Sequence, residues 1–248
     1  MYSFVSRVRY SEITEKRELS LISIINYLQD CCTYESEDGG VGLDWLAEHN
    51  TAWMLTGWHV KIPKRPIYGQ EIKITTWACG FRRFIGYRNF LITDANTGEE
   101  LVYAFSEWAY VNTLLQRPEK SIPEKEIEVY DCREPLDIEF EKGKIPIPEE
   151  MLAVDDIVVT ERNLDTNHHV NNAEYMAFAL NVLPRGTDGR VTEFRAEYKM
   201  QSKLGDVIKP FVYDNEESGK MTVVLRDETG KNKLIAELKV SETERESN

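Results

Sequence analysis

Hydrophobic and polar residues follow the same order twice along the 248-residue chain. The first set opens with an alternating run, Tyr2–Tyr10, which predicts a strand, and continues with a densely apolar stretch, Glu18–Cys31, which predicts a helix. Apolar residues cover most of this helix, so we expect it to be buried on nearly all sides. Four strand-like runs separated by turn residues follow at Gly57–Ile62, Glu71–Cys79, Phe84–Thr93 and Leu101–Val111.

The second set repeats this order of one strand, one apolar helix and four strands. The sequence predicts a strand over Ile157–Arg162 and a helix over Asn172–Leu183. The four strands are expected at Val191–Met200, Val207–Tyr213, Met221–Arg226 and Leu234–Val240. The sequence therefore predicts an α+β architecture, a tandem (double) hot-dog fold with two antiparallel sheets each wrapped around a central helix. A single continuous α+β domain is the alternative.

The segment between the two sets differs in composition. Residues 116–150 contain eleven acidic and six basic residues and five of the nine prolines, Pro118, Pro123, Pro135, Pro146 and Pro148. This composition predicts an interdomain linker that lies on the surface, anchored by Ile127, Val129, Ile138 and Phe140. We therefore expect an N-terminal domain over 1–115, a linker over 116–152 and a C-terminal domain over 153–248. The polar run Ser241–Asn248 is expected to fray.

Composition and charge narrow the class of protein. With 30 basic and 43 acidic residues the net charge is −13, which argues against binding to a nucleic-acid backbone. No stretch approaches the roughly 18 to 20 apolar residues of a membrane helix, and no signal-peptide pattern is present, so a cytoplasmic protein is expected. The four cysteines form no C-x-x-C pair, so neither a disulfide framework nor a zinc site is predicted. No cofactor is predicted, and monomer and homodimer both remain open.

Candidate chemistry is concentrated before the second helix. Asp165, Asn167 and His169 alternate, so an extended approach to the helix would place their side chains on one side. Asn171 or Asn172 is suited to cap the helix, with Glu174 completing a capping box. Unpaired N–H groups at a helix start can stabilise the oxyanion that forms when water attacks a thioester carbonyl. A carboxylate, an amide and an imidazole at such a position are the parts an acyl hydrolase needs.

The same segment allows two other interpretations. Asp and Asn are common in loops before helices, where they only turn and cap the chain. A metal site built from Asp165, His168 and His169 is disfavoured, because adjacent histidines in a strand point to opposite faces.

Asp165–Tyr175 reads Asp-x-Asn-x-His-Val-Asn-Asn-x-x-Tyr, and this motif resembles the catalytic motif of the acyl-acyl-carrier-protein (acyl-ACP) thioesterases. Further segments resemble the N-terminal half of that family, in order: Asn26–Gln29, Trp53 with Leu55, Pro66–Gln70, Thr75–Trp77, Asp94–Glu99 and Ala104–Trp108. The resemblance covers nearly the whole chain and points to the bacterial type, which is related to the plant enzymes. It implies an N-terminal hot-dog repeat that holds the acyl chain and a C-terminal repeat that supplies catalysis.

The resemblance also implies an activity, a partner and site residues. The activity is hydrolysis of the thioester of fatty acyl-ACP to release free fatty acid, and the partner is acyl carrier protein carrying phosphopantetheine. By position, Asp165, Asn167, His169 and Gln201 are the catalytic candidates. The chain departs from the family at Gln201 and Ser202, where the family has glutamate and cysteine.

This departure affects the expected mechanism. Gln201 has no useful pKa near neutrality but can orient water, and Ser202 would need an activating base to act as a nucleophile. The favoured mechanism needs neither: Asp165 and His169 activate water, Asn167 positions the carbonyl or the water, and the helix start receives the oxyanion. A hot-dog hydroxyacyl-ACP dehydratase and a non-catalytic acyl-binding protein are the alternatives.

Positive charge is concentrated in one region. Residues 54–92 hold one acidic residue, Glu71, and seven basic residues, Lys61, Lys64, Arg65, Lys73, Arg82, Arg83 and Arg88. An acidic carrier protein would be steered by such a region, so a docking patch that includes Arg82 and Arg83 is expected. The other interpretation is that these charges are merely solvated on both faces of the strands.

Overall fold

The computed structural model describes residues 1–241, so the run expected to fray lies outside the described residues from position 242 onward. The chain divides into two compact units. Unit 1 comprises Met1–Ile13, Arg17–Leu19 and Ser23–Glu141, and unit 2 comprises Thr14–Lys16, Ser20–Ile22 and the described residues from Lys142 onward. The domain limits expected from the sequence stay a prediction.

Unit 1 contains an antiparallel sheet with the strand order β1-β3-β4-β5-β2, and β6 pairs with β5. The strands are β1 (Tyr2–Arg7), β2 (Thr51–Lys61), β3 (Glu71–Arg82), β4 (Ile85–Asp94), β5 (Glu100–Asn112) and β6 (Arg117–Pro118). Every strand predicted for the first half is present. The first one ends early, because the Glu12 carboxylate accepts the N–H of Arg9 (2.8 Å) and holds Tyr10–Glu12 in a 3-10 turn.

The long helix α1 (Leu21–Asp38), which belongs to unit 1 from Ser23 onward, continues well beyond the predicted end, and a short helix, α2 (Leu43–Glu48), follows it. One side of α1 is buried, and its buried residues are Leu21, Ile24, Ile25, Tyr27, Leu28, Cys31, Cys32 and Glu35. The opposite side is exposed, and its exposed residues include Asn26, Asp30, Thr33 and Glu37. Within the predicted span Glu18–Cys31 only Asn26 and Asp30 are exposed, and the wider exposed side belongs to the turns beyond Cys31, which the prediction did not include.

Part of the predicted linker forms a helix, α3 (Glu124–Val129), within unit 1. Ile127, an expected anchor, is 39% exposed, whereas Glu126 is fully buried and Tyr130 nearly so. The Glu126 carboxylate accepts the indole N–H of Trp53 at 2.6 Å. The segment is thus anchored by a polar contact that a hydrophobic pattern does not reveal, and burial raises the pKa of Glu126 above its ordinary value of 4.5.

We expect Glu126→Gln to make the protein less sensitive to alkaline pH. Because the pKa of Glu126 is raised by folding, the folded state retains a proton that the unfolded state releases as the pH rises above 4.5. Wild-type stability therefore falls with rising pH through this window, and the Gln variant, which keeps an acceptor for Trp53, loses less. Urea unfolding at about pH 5 and about pH 8 measures the difference. Glu128→Gln, on an exposed position of the same helix, is the control, and equal pH slopes in all three proteins would contradict the expectation.

Unit 2 contains a second antiparallel sheet with the order β9-β12-β11-β10-β7, and β8 pairs with β10. The strands are β7 (Leu152–Ala153), β8 (Ile157–Val158), β9 (Val191–Tyr198), β10 (Val207–Asn215), β11 (Lys220–Arg226) and β12 (Asn232–Val240). The helix α4 (Asn172–Asn181) packs against β11 and β12. The predicted strand Ile157–Arg162 is wrong beyond Val158, because Glu161–Asn163 forms a 3-10 turn.

Within residues 1–241, no helix is long and apolar enough to cross a membrane. The four cysteines, Cys31, Cys32, Cys79 and Cys132, are free thiols.

Candidate active site

The candidate residues lie in a tight loop of unit 2. Leu164 and Val170 form an antiparallel bridge, so the chain between them folds back on itself immediately before α4. The N–H of Asp165 donates to the carbonyl of His169 at 2.8 Å, and the N–H of His168 donates to the carbonyl of Asp165 at 3.1 Å. His168 has φ = 59°, the left-handed conformation that this reversal requires. The expectation of an extended approach is therefore wrong.

The Asp165 carboxylate stabilises this loop. One oxygen, Oδ1, accepts the backbone N–H of Asn167 at 2.8 Å and that of His169 at 3.2 Å. This is an Asx turn, in which the side chain replaces a backbone acceptor. Asp165 is thus connected to His169 through the backbone, and the loop brings the three candidate residues together by this turn and not by strand alternation.

The side chains of the loop differ in burial. Asn167 and His168 are exposed, whereas Asp165 and His169 are half-buried. The Nδ1 atom of His169 is buried and has no hydrogen-bond partner among residues 1–241. No group of three or more His, Cys, Asp or Glu residues able to hold a metal occurs in the described part of the chain. The loop therefore presents an amide to solvent, beside a carboxylate and an imidazole that are partly shielded.

The start of α4 is capped by Asn171, one of the two residues predicted for that role. Its Oδ1 accepts the N–H of Ala173 at 2.8 Å, and its carbonyl accepts the N–H of Glu174 at 3.0 Å. These two amides are therefore occupied, and the expectation that the helix start receives an oxyanion is wrong for them. The predicted capping box is also incomplete, because the N–H of Asn171 donates to the carbonyl of Asn163 at 2.9 Å.

Asn163, which is 5% exposed, connects the 3-10 turn Glu161–Asn163 to the start of α4. It was not among the predicted site residues. Its Oδ1 accepts the N–H of Thr160 at 2.9 Å and the Thr160 hydroxyl at 2.6 Å. Its Nδ2 donates to the carboxylate of Glu174 at 2.6 Å, so a buried amide connects the 3-10 turn to the first turn of α4. The spacing of Thr160 and Asn163, three residues apart, is the sequence signal that indicates such a cap.

Gln201 and Ser202 follow β9 and approach the same loop. The Ser202 carbonyl accepts the N–H of Val170 at 2.9 Å, which places Ser202 beside the residue after His169. Ser202 is 0% exposed, whereas the Gln201 side chain is exposed and its carbonyl accepts Lys233 Nζ at 3.0 Å. The structure thus joins Ser202 to the loop through its backbone and leaves the neighbouring Gln201 open to solvent.

Buried Tyr175 and half-buried Tyr198 fix α4 against the end of β9. Tyr175 donates its hydroxyl to the carbonyl of Met200 at 3.2 Å, and Tyr198 donates to the carbonyl of Asn172 at 3.1 Å. Burial raises the pKa of Tyr175 to about 12 and that of Tyr198 further still, so both remain protonated donors. These tyrosines position the backbone on either side of the candidate site.

The predicted basic patch is only partly exposed. Arg65 donates to the carbonyl of Leu19 at 2.7 Å, and Arg88 forms a buried ion pair with Glu35, so neither is available to a partner. Arg82 and Arg83 are exposed at the turn between β3 and β4, where Arg83 has φ = 56°. Lys64 and Lys73 are exposed as well, so the hairpin tip carries two of the exposed basic residues of the predicted patch.

Comparison with solved structures defines the fold. The structure matches an acyl-ACP thioesterase from Bacteroides thetaiotaomicron with a TM-score of 0.86 and 22% identity, covering 96% of this chain and 97% of that one. It matches the 12:0-ACP thioesterase from Umbellularia californica with a TM-score of 0.85 and 20% identity, covering 97% and 96%. The protein therefore has the double hot-dog α+β fold, and this prediction is confirmed.

Sequence comparison defines the family. The family model for the acyl-ACP thioesterase N-terminal domain matches residues 2–130, and the model for the C-terminal domain matches residues 149–241. The chain belongs to the acyl-ACP thioesterase family, a family of thioester hydrolases, as the resemblance implied. A chloroplastic palmitoyl-acyl carrier protein thioesterase of Arabidopsis thaliana is 30% identical over 216 residues, which are 82% of this chain and 52% of that protein. The chain thus spans about half the length of the curated relatives it matches.

Proposed function

We propose that this protein hydrolyses the thioester of fatty acyl-ACP and releases free fatty acid, with the acyl chain held by the N-terminal domain and catalysis supplied by the C-terminal domain. The observation that carries the proposal is the loop before α4, where one Asx turn groups Asp165, Asn167 and His169. This loop lies within the part of the chain that matches the C-terminal domain of the family.

The proposed chemistry is direct attack by water. Either Asp165 or His169 accepts one proton from water as its oxygen bonds to the carbonyl carbon of the thioester. The carbon–sulfur bond then breaks, and the proton passes to the departing thiolate of phosphopantetheine, which gives a carboxylic acid and a thiol. Asn167, whose side chain is exposed, donates its amide N–H to the carbonyl oxygen, a role that the capped amides of Ala173 and Glu174 do not fill.

Gln201 supports the attack by orienting water, since an exposed amide both donates and accepts hydrogen bonds. Ser202 is not assigned a nucleophilic role. A nucleophile must reach the carbonyl carbon, and Ser202 is 0% exposed.

A single assay tests the proposed activity. Purified protein is incubated with acyl-ACP substrates of several chain lengths, including hydroxyacyl-ACP, and free thiol and acyl products are measured. We expect thiol release that matches fatty-acid release. An enoyl product without thiol would instead indicate a dehydratase, and binding without either product would indicate an acyl-binding protein.

We also propose that acyl carrier protein docks at the Arg82–Arg83 tip. The double variant Arg82→Glu/Arg83→Glu is expected to raise KM for acyl-ACP about tenfold at low salt, because it turns attraction of an acidic carrier into repulsion. The increase shrinks as salt is added, since screening weakens the interaction of exposed charges.

The control for the docking experiment is an acyl-pantetheine thioester, which carries no acidic protein. Its KM is expected to be the same for wild type and the double variant, so a general loss of activity is separated from a loss of docking. An unchanged KM for acyl-ACP at low salt would remove this tip from the docking surface.

A further inference from the structure

A row of polar side chains crosses the inner face of the sheet in unit 1. The strand registers place Arg88 opposite Ser106 and Ser106 opposite Trp58, so the three side chains share one face. Arg88 pairs with Glu35 of α1, which shows that this face is directed toward the helix. We call Arg88, Ser106 and Trp58 the polar row.

The polar row is buried in apolar surroundings. Arg88 is 7%, Ser106 0% and Trp58 3% exposed. The next positions along the same face of the strands are apolar and fully buried: Val60, Phe90 and Ala104, then Ile74, Ile92 and Val102. A polar group in such a place is expected to be hydrogen-bonded, because water does not reach it.

Most of the polar row meets this requirement. Arg88 is paired with Glu35, its Nε donates to the Thr76 hydroxyl at 3.4 Å, and its guanidinium lies 5.0 Å from the ring centre of Tyr130. The Ser106 hydroxyl accepts the indole N–H of Trp108 at 2.6 Å. The charge and the hydroxyl of the row are therefore satisfied within the protein.

Trp58 is the exception. Its Nε1 is buried and has no hydrogen-bond partner among residues 1–241. The indole N–H groups of Trp53, Trp77 and Trp108 each donate to a protein oxygen, at 2.6, 3.0 and 2.6 Å. The Trp58 ring lies 5.1 Å from that of Phe90, so its free donor belongs to the interior between sheet and helix. An unmet buried donor of this kind indicates an acceptor that comes from outside the chain.

We propose that the interior of unit 1 binds acyl chains that carry an oxygen substituent, a hydroxyl or oxo group, and that Trp58 Nε1 donates its hydrogen to that oxygen. The inference rests on the proposed function, in which the N-terminal domain holds the acyl chain. A plain hydrocarbon at the polar row leaves the Trp58 donor unmet, whereas an oxygen on the chain satisfies it. The polar row thus selects for substituted over unsubstituted chains of the same length.

The test compares ACP thioesters of one chain length, either unsubstituted or carrying a hydroxyl or oxo group at successive positions. Wild type is expected to show a kcat/KM at least about tenfold higher for one substituted position than for the plain chain. Trp58→Phe, which removes only the donor and the smaller ring of the indole, brings this ratio to about one. Trp77→Phe is the matched control. Trp77 follows inward-facing Thr76 on β3, so it faces the other side of the sheet, and its indole N–H is hydrogen-bonded. The kcat/KM ratio of this variant is expected to equal that of wild type.

Two outcomes overturn the proposal. If wild type hydrolyses the plain chain with the same kcat/KM as every substituted chain, no oxygen is recognised. A ratio that Trp58→Phe leaves unchanged shows that Trp58 is not the donor. Dissociation constants for amide-linked acyl-ACP analogues give the same ratio without turnover. A protein that does not hydrolyse any substrate refutes the proposed function, whereas equal dissociation constants for plain and substituted chains refute the present proposal. The two failures are therefore distinguishable.

Discussion

Replacing His169 with alanine is expected to lower kcat for acyl-ACP hydrolysis about 10²- to 10⁴-fold, the range typical of losing a positioned acid–base group. The residue is half-buried, and its backbone N–H is bound to the Asp165 carboxylate, so the loop holds the imidazole in place. Because the side chain makes no hydrogen bond through Nδ1 to a described residue, its removal leaves no new unpaired protein group there. Turnover is therefore expected to fall far more than stability, as measured by thiol release and urea unfolding.

Asp165 combines a structural and a chemical role, and two substitutions separate them. Asp165→Asn keeps an Oδ1 acceptor for the amides of Asn167 and His169 but removes the charge. It is expected to lose turnover to a similar extent as His169→Ala while unfolding at a urea concentration near that of wild type. Asp165→Ala loses the acceptor as well, so both activity and stability fall. Full turnover in the Asn variant would show that the carboxylate serves only to hold the turn.

Ser202→Ala is the control for this pair. The hydroxyl is 0% exposed, and the contact that ties Ser202 to the loop is its carbonyl, which alanine retains. Activity is expected to stay largely intact. Loss of turnover in this variant alone would refute direct attack by water and return Ser202 to a nucleophilic role.

The sequence predicted the regular elements well because they bury one face. Alternation and helical spacing identified the long strands and both long helices, although α1 runs on to Asp38. Two errors occur where side chains bond to the backbone, and β2 also begins at Thr51, before the predicted start at Gly57. Glu12 and Asn163 each fold a predicted strand end into a 3-10 turn, and such contacts leave no periodic pattern.

The candidate site residues stay a prediction, and the geometry of their loop was not predicted from the sequence. The segment before α1 has the same backbone as the loop before α4: a bridge between Ile13 and Leu19 corresponds to that between Leu164 and Val170, and Arg17 has φ = 60° as His168 has 59°. The repeat therefore supplies the turn twice. Thr14, Lys16 and Glu18 occupy the positions of Asp165, Asn167 and His169, so residue types, and not the backbone, distinguish the candidate site.

The buried ion pair of unit 1 leads to the largest expected effect on stability. Arg88→Met leaves Glu35, which is 6% exposed, without its partner, and Glu35→Met leaves Arg88 in the same state. Each single substitution is expected to lower the free energy of unfolding by about 3 to 5 kcal/mol, since an unpaired charge is then confined in apolar surroundings. Such a loss is a large part of the total stability of a domain.

The double variant Glu35→Met/Arg88→Met distinguishes the effect of charge pairing from the effect of side-chain shape. Because no charge then remains buried, its free energy of unfolding is expected to return to near the wild-type value or above it. Lys64 and Glu99, an ion pair whose side chains are 57% and 48% exposed, provide the control, and Lys64→Met is expected to change stability by less than about 1 kcal/mol. A double variant as unstable as the singles would show that residue shape, and not charge pairing, determines stability at this position. A recovered double variant would show that the Arg88–Glu35 pair contributes little net stability of its own, so stability alone does not explain why the pair is buried in unit 1.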